Sequence, residues 1–360
     1  MKTFSAVLAL ALFLSTFSLA FETDQYNLPP EPLADVGDEV TEYVGDKLRI
    51  AVSNLNGQIA RAEACLAEKL NGCGSAADEQ RKLAGLRSEA SLGREFFELV
   101  GDGNLFVTSF GRWIRSHKFR GQPDRHKAEI GESIFILNPP DYLTLSPTVR
   151  LYGAEFGTDK LEHFFQQGHQ YYEIRHKALA VGASVAEAEK KAIKWGQRTE
   201  RTYFGILVSG VYSNADLYAN YAGMRFYDAL TKPLRINGRT RPAIVCLDKG
   251  SWRINGDADL NEHLLKPFFS DHMNEAWNPS SFRLTLVRSV RRVVKKHDCP
   301  GWLEKYPDVT ADDLENRSKA LETWNGEDYG FTKRSRTVTI AETCFEKRRD
   351  ADEVSGQKEF

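Results

Sequence analysis

Hydrophobic residues recur at helical spacing through residues 38–100. This spacing gathers the apolar side chains on one face of a helix. The first part of the pattern consists of Val40, Val44, Leu48, Val52 and Leu55. The pattern is interrupted between residues 71 and 75, where Asn71-Gly72 favours a turn. The sequence therefore predicts an N-terminal helical hairpin over residues 38–100, with a scaffolding role.

The apolar pattern is densest between Gly157 and Leu230, where it predicts three helices. Thr158 is a plausible N-cap residue for the first helix. A capping-box pattern at Ser184 begins the second, which is predicted to continue past Glu200 into the apolar run 204–208. Ser213 and the acidic residue three positions later begin the third helix. We expect these helices to form the core of the molecule.

Short segments outside the central helices have the composition of β-strands. A hairpin is predicted from 242–247 and 252–254, turning through Lys249-Gly250. Residues 260–277 are predicted to be helical, and the basic stretch 282–296 is compatible with a helix or a strand. Further strands are predicted at 105–107, 133–137 and 336–345. The predicted fold class is α+β, mainly α-helical, with a central helical core and small β-hairpin elements.

The first twenty residues have the pattern of a secretory signal peptide. A short basic head is followed by an apolar run over 6–14 and by Ser18-Leu19-Ala20, a small-x-small cleavage pattern. The sequence then predicts an extended leader over 21–37, the helical hairpin 38–100, a main α-rich domain over 101–345 and a disordered tail over 346–360. No later apolar run has the length of a membrane span. We expect an exported chain, periplasmic or secreted.

The charge of the chain is nearly balanced, with 48 Lys and Arg against 50 Asp and Glu. This balance gives no reason to expect nucleic acid as a partner. Basic residues are nevertheless concentrated in two stretches, 115–126 and 282–296. The favoured interpretation of each stretch is a solvated surface. The alternative is a contact for an anionic polymer in 115–126 and for an anionic membrane or cell-wall surface in 282–296.

Five cysteines are expected to be mostly oxidised in an exported protein. Cys65 and Cys73 flank the predicted turn at 71–72 and are expected to form a local disulfide. Among the other three cysteines we favour a pairing of Cys299 with Cys344, which would leave Cys246 as a buried thiol in a strand, although spacing alone does not determine the connectivity. The sequence has no C-x-x-C pair of the kind that typically binds zinc.

The central helices carry polar residues among apolar and aromatic neighbours. A buried polar cluster is costly unless its members satisfy one another. Asp159 and His163 are four residues apart and project from one face of a helix, whereas His169 and His176 are predicted at the surface. The full candidate cluster is Asp159, Lys160, His163, Glu200, Ser213, Asp216, Asn220 and Gly223.

Three interpretations of this cluster remain open: a structural polar network, acid–base hydrolysis and a metal site. The metal interpretation is the least favoured, because only one histidine faces the cluster and paired E-x-x-H motifs are absent. His272 and Glu275 have the spacing of metal ligands on a predicted helix, but they are a weaker candidate. The favoured interpretation of these two residues is an exposed polar face. We therefore predict no cofactor.

If the chain is an enzyme, the residues favour an exported hydrolase acting on a cell-wall polymer or lipid. Glu200 would be the general acid or base, with Asp216 as the second carboxylate. His163 would be the proton partner, oriented by Asp159. The predicted substrate-binding residues are Asn220, Tyr212 and Lys160. The alternative is a non-enzymatic envelope protein whose polar cluster only fixes helix packing.

The same motifs resemble those of the VanZ-like and YfiM-like families of bacterial envelope proteins. The resemblance covers residues 157–225 and consists of D-K-x-x-H from Asp159, an isolated Glu200, and S-x-x-D-x-x-x-N-x-x-G from Ser213. It implies a bacterial envelope setting and a polar helix core. It implies no particular reaction.

Overall fold

The computed structural model describes residues 22–68, 71–104, 107–136, 142–202, 204–236 and 238–345. Within these ranges the chain is mainly helical, with short two-stranded antiparallel sheets. The predicted α+β, mainly α-helical class is therefore confirmed. The predicted signal peptide at 1–20 and the predicted tail at 346–360 lie outside the described residues.

The N-terminal region contains three helices where two were predicted. They are α1 (Gly37–Leu66), α2 (Ala76–Leu86) and α3 (Glu89–Val100). The predicted apolar stripe of α1 is buried. The additional break occurs because Ser88 caps the backbone N–H of Ser91 and begins α3. The disulfide between Cys65 and Cys73 is present, as predicted.

The central helices form the body of the larger hydrophobic core. One continuous helical segment consists of α5 (Thr158–Glu162), a π-helical turn (His163–Gln167) and α6 (Gly168–Ala180). It is preceded by α4 (Ser109–Ser116) and followed by α7 (Val185–Glu200) and α8 (Asn214–Ala229). A Cβ atom on Gly223 of α8 would lie 2.0 Å from the Phe164 carbonyl oxygen, so this glycine allows the two helices to cross closely.

Five antiparallel strand pairs connect the helices. They are β1 (Gly103–Asn104) with β2 (Val107–Thr108), β3 (Thr148–Leu151) with β4 (Ala154–Gly157), β5 (Val211–Tyr212) with β10 (Ser281–Phe282), β6 (Leu234–Ile236) with β7 (Arg239–Arg241), and β8 (Val245–Asp248) with β9 (Ser251–Ile254). The predicted hairpin through Lys249-Gly250 is confirmed as β8 and β9. Strand β4 leads directly into α5, and β5 leads into α8.

The C-terminal third combines short helices with tight helical turns. They are α9 (Leu260–His263), 3-10 turns at Lys266–Phe268 and Asp271–Met273, α10 (Leu284–Val293), a π turn at Val294–Asp298, α11 (Cys299–Lys305), α12 (Ala311–Ala320) and a π turn at Ala341–Phe345. The helix predicted over 260–277 is thus only partly formed, and the open choice for 282–296 is resolved as a helix.

Two predicted strands are wrong. Residues 133–136 form turns, because the backbone N–H of Ile134 donates to Asp24 and that of Ile136 donates to the Ser133 carbonyl. The segment that includes Cys344 is a π turn held by its disulfide to Cys299, a predicted pairing that is confirmed. Cys246 is a free thiol, but it is half-buried rather than buried.

The predicted leader is part of the folded core. Residues 22–36, the part of it that the structure describes before α1, contain no helix, and residues 22–26 are buried. The Tyr26 hydroxyl donates to the Val338 carbonyl, and the Trp302 indole donates to the Tyr26 carbonyl. These contacts join the N-terminal segment to a second, smaller core in the C-terminal third. Of the helices within the described ranges, none has the length and apolar character that crossing a bilayer requires.

Candidate functional site

Lys160 lies at the centre of the polar cluster and has no exposed surface. Its Nζ is 2.6 Å from Asp159 Oδ2, 2.6 Å from Asp216 Oδ1 and 2.7 Å from Glu275 Oε1. Burial alone lowers the pKa of Lys160, but the three carboxylates more than offset this effect and raise it well above its ordinary value. The charged ammonium thereby joins α5, α8 and the segment around residue 275.

Asp159 is bound by the N-terminal segment as well as by Lys160. The Thr23 hydroxyl donates to Asp159 Oδ1 over 2.5 Å. A Cβ atom on Gly157 would lie 1.9 Å from Thr23 Oγ1, so glycine makes room for this contact at the start of α5. The structure therefore places Asp159 against Thr23 and Lys160, and places Asn220, rather than Asp159, at the ring of His163.

Asp216 is held at the beginning of α8. Ser213 caps this helix by accepting the Asp216 backbone N–H, as predicted, and its hydroxyl donates to Glu275 Oε1 over 2.8 Å. Burial acts to raise the pKa of Asp216, but His163 and Lys160 outweigh it and hold the pKa below its ordinary value. The contact with the Lys160 ammonium thus favours the ionised form of Asp216, although only 2 % of its surface is exposed.

Glu200 is the last residue of α7, so the predicted continuation of this helix to residues 204–208 is wrong. The chain turns at Gly205, where a Cβ atom would lie 2.3 Å from the Glu200 carbonyl oxygen. Glu200 Oε2 accepts the Ser213 backbone N–H over 3.3 Å, and its Oε1 is buried with no hydrogen-bond partner among the described residues. Burial and the charge of Asp216 raise the pKa of Glu200 well above its ordinary value.

His163 begins the π-helical turn and is the most exposed member of the site, with 16 % of its side chain accessible. Its Nδ1 is 3.0 Å from Asn220 Oδ1, and its Nε2 is 3.5 Å from Asp216 Oδ2. Ligand atoms of His163, Glu200 and Asp216 all lie within 4.8 Å of one another. Single π-helical turns inside α-helices frequently occur at functional sites.

The other predicted site residues lie away from solvent. Tyr212 has 0 % exposure, and its hydroxyl donates to Thr332 Oγ1 over 3.1 Å, so its ring is not presented to a sugar. Lys160, also assigned to substrate binding, forms ion pairs with buried carboxylates instead. His169, predicted at the surface, is buried and stacks on Phe97 with 4.2 Å between ring centroids.

Two carboxylates of the cluster were missed. Glu22 comes from the predicted leader, and Glu275 follows the second 3-10 turn; both are within reach of Asp216. Burial and the neighbouring charges of Glu275 and Asp216 raise the pKa of Glu22 well above its ordinary value. His272 and Glu275, the weaker metal-ligand candidates, do not face one another. The His272 ring nitrogens face Ser270 and the Thr323 carbonyl instead.

The two basic stretches differ in their surroundings. In the first, Arg115 pairs with Glu162, Arg125 pairs with Asp124 and His117 faces Glu39. These basic side chains are thus partly neutralised by carboxylates of the same chain. In the second, α10 and the π turn after it present a basic face to solvent, formed by Arg288, Arg291, Arg292, Lys295 and Lys296.

Comparisons of the chain with protein-family models, with curated proteins and with solved structures find no match. The resemblance to VanZ-like and YfiM-like proteins therefore remains a prediction from the motifs alone.

Proposed function

We propose that the chain is an exported bacterial envelope hydrolase whose reaction centre consists of His163, Glu200 and Asp216. The observation that supports this most strongly is the convergence of their ligand atoms within 4.8 Å, at a cluster where the His163 side chain is partly exposed. The substrate class that fits an exported enzyme of this kind is a cell-wall polymer or an envelope lipid.

The proposed reaction adds a water molecule across the bond that is cleaved. The two carboxylates and the imidazole surround a position where that water is oriented and can lose a proton to a neighbouring group. Asn220 fixes the orientation of the His163 ring, and Lys160 anchors Asp216. In this proposal Asp159 and Lys160 are positioning residues rather than groups that touch the substrate.

The two disulfides support the proposed export. Cys65–Cys73 and Cys299–Cys344 both form within one chain, and such bonds persist mainly in oxidising compartments such as the periplasm and the extracellular space. They agree with the predicted signal peptide.

Release of soluble fragments from purified cell-wall material and from envelope lipid tests the hydrolase proposal. The parent protein should release fragments, and Glu200→Gln should not, although its circular dichroism spectrum is unchanged. Glu79→Gln is the matched control, because Glu79 is also a buried helical glutamate but lies in α2, outside the cluster. Equal release by Glu200→Gln and the parent would contradict the assignment of Glu200.

The burial of the site favours a second candidate, a non-enzymatic envelope protein. Glu200 and Asp216 have only 1 % and 2 % exposure, as members of a purely structural network would. The binding surface in this case is the basic face of α10, next to which Leu284 is 67 % exposed. Basic residues beside an exposed apolar side chain are suited to an anionic membrane or wall polymer.

Sedimentation with anionic lipid vesicles tests this second candidate. Neutralising Arg288, Arg292, Lys295 and Lys296 to Gln should abolish binding at low salt. Neutralising four exposed basic residues of α7 is the charge-matched control and should have little effect; these are Lys190, Lys191, Lys194 and Arg198. Equal losses in both variants would indicate general charge attraction rather than a surface on α10.

A further inference from the structure

We propose that His163, Glu200 and Asp216 bind one divalent transition-metal ion, with zinc or manganese as the fitting class. The sequence predicted no cofactor, because a single histidine faces the cluster. The use of the ion to activate a water molecule rests on the proposed hydrolase function. The binding of the ion does not, and it can be measured without a substrate.

The spacing of the donor atoms fits a shared ion. Two ligands that are each about 2.1 Å from a tetrahedral ion lie about 3.4 Å apart. His163 Nε2 and Asp216 Oδ2 are 3.5 Å apart, and the ligand atom of Glu200 completes a group within 4.8 Å. The three side chains come from the π turn, α8 and the end of α7, so they approach the same point from different elements.

Two of these donors have the free electron pairs that a cation needs. With Asn220 Oδ1 accepting the Nδ1–H of His163, the Nε2 lone pair faces the Asp216 carboxylate. The Nε2 atom and the carboxylate face each other favourably when a cation lies between them, either a proton on Nε2 or a bound metal ion. Glu200 Oε1 is buried without a hydrogen-bond partner among the described residues. Metal-bound histidines commonly donate their second ring N–H to an oxygen acceptor, and Asn220 occupies that position.

The charge of the buried cluster also favours a cation. Five buried carboxyl groups, those of Glu22, Asp159, Glu200, Asp216 and Glu275, lie near the ammonium of Lys160, and ionisation of all five would exceed the charge that this ammonium balances. Uncompensated charges are costly away from water. Lys160 contacts Asp216 Oδ1, whereas His163 faces Asp216 Oδ2. A divalent ion bound by His163 would therefore offset negative charge at the carboxylate oxygen that Lys160 does not contact.

The donor set selects the class of ion. An imidazole nitrogen with two carboxylates suits zinc, manganese or ferrous iron, whereas calcium and magnesium prefer oxygen ligands alone. Three protein ligands leave a position for water, as in catalytic rather than structural zinc sites. A water bound there has a lowered pKa and becomes a nucleophile near neutral pH.

Calorimetric titration of the EDTA-treated full chain with zinc chloride and manganese chloride tests the proposal. The background carries Cys246→Ser, which removes the free thiol as a competing ligand. We expect one ion per chain, no binding by His163→Ala or Glu200→Gln, and an affinity about 10- to 100-fold lower for Asn220→Ala. His126→Ala is the matched control, because the His126 ring also contacts an asparagine, Asn27, over 2.8 Å.

Circular dichroism establishes that each variant is folded before titration. If His163→Ala fails to fold, pulsed EPR of the manganese-loaded parent replaces it, and coupling to one histidine nitrogen supports the site. Absence of saturable binding, equal binding by folded His163→Ala, or absence of that nitrogen coupling would overturn the proposal.

Metal binding without fragment release would contradict only the hydrolase. Full release by the metal-free protein would contradict only the catalytic use of the ion.

Discussion

At the scale of single residues, the cluster combines neighbours in sequence with distant ones. Helical spacing and capping patterns identified Asp159, His163, Glu200 and Asp216 because each lies at a position that local rules describe. Glu22 carries no such pattern and comes from a segment predicted only as an extended leader. Its position depends on tertiary packing, which is why sequence reasoning missed it. For the same reason, the sequence did not distinguish Asn220 from Asp159 as the partner of His163.

Lys160→Met should strongly destabilise the protein, because it leaves three buried carboxylates without their shared ammonium. Removal of one partner of a buried ion pair costs about 3–5 kcal/mol. Lys177→Met is the matched control, since Lys177 pairs with Glu173 on the surface and should contribute about 0.5 kcal/mol or less. Urea unfolding measures both changes. Similar small losses in the two variants would contradict a central structural role for Lys160.

The buried carboxyl groups of the smaller core should make the protein less stable as the pH rises. Burial raises the pKa of Asp298 from 3.8 to about 8 and that of Asp24 to about 6. The folded state therefore holds these protons more tightly than the unfolded state, so their contribution is present below about pH 4 and is lost through pH 6 to 8. Unfolding free energies of the parent measured across this range should fall.

Asp298→Asn should make the decline between pH 6 and 8 shallower than in the parent, while other buried carboxyl groups with raised pKa values, among them Glu275 and Glu162, still titrate there. Asp257→Asn is the control, because Asp257 is exposed, and its profile should match the parent. A profile for Asp298→Asn that still falls between pH 6 and 8 as steeply as the parent would show that another group is responsible.

At the scale of elements, capping residues were the most informative part of the sequence. The capping box at Ser184 and the N-cap at Ser213 are both present. The π turn that carries His163 was not predicted, since its hydrogen bonds depend on how the helix packs against α8. The predicted strand containing Cys344 failed because its apolar residues also suit a buried helical turn, and a disulfide fixes that turn.

Gly223→Ala should destabilise the crossing of α8 with the π-helical turn His163–Gln167. The added Cβ atom would lie 2.0 Å from a backbone carbonyl oxygen, which cannot rotate away as a side chain does. Overpacking of this kind costs about 1–3 kcal/mol. Gly57→Ala, at an exposed position of α1 with open space around it, should stabilise by about 0.5–1 kcal/mol. Thermal unfolding compares the two, and changes of the same sign would contradict this account of Gly223.

At the scale of the whole molecule, the N-terminal segment contacts both the smaller hydrophobic core and the polar cluster. Tyr26 belongs to the smaller core, while Thr23 reaches the polar cluster between the central helices. Composition and periodicity predicted a mainly helical protein with both disulfides. They did not predict this role of residues 22–26, because an irregular segment with prolines after it has no periodic pattern.

The two disulfides should contribute unequally to stability. The Cys299–Cys344 bond spans 45 residues and the Cys65–Cys73 bond spans 8. The loss of unfolded-state entropy corresponds to about 4 kcal/mol for the first and about 2.5 kcal/mol for the second. Paired Cys→Ala variants, compared by urea unfolding, should follow this order. A larger loss from the shorter loop would show that local packing, rather than chain entropy, determines the effect.

The central claim is that Glu200 belongs to a metal-binding functional site and that its carboxylate is not required for the stability of the fold. The most direct test is the unfolding free energy of the parent and Glu200→Gln, each with EDTA and with zinc, in the Cys246→Ser background. In EDTA the two should differ by less than about 1 kcal/mol, because Gln can still accept the Ser213 N–H. Zinc at 100 times the dissociation constant should stabilise the parent alone, by about 2.7 kcal/mol. A loss of about 2 kcal/mol or more in Glu200→Gln under EDTA, with no effect of zinc on either protein, would contradict the claim and make the cluster a structural network.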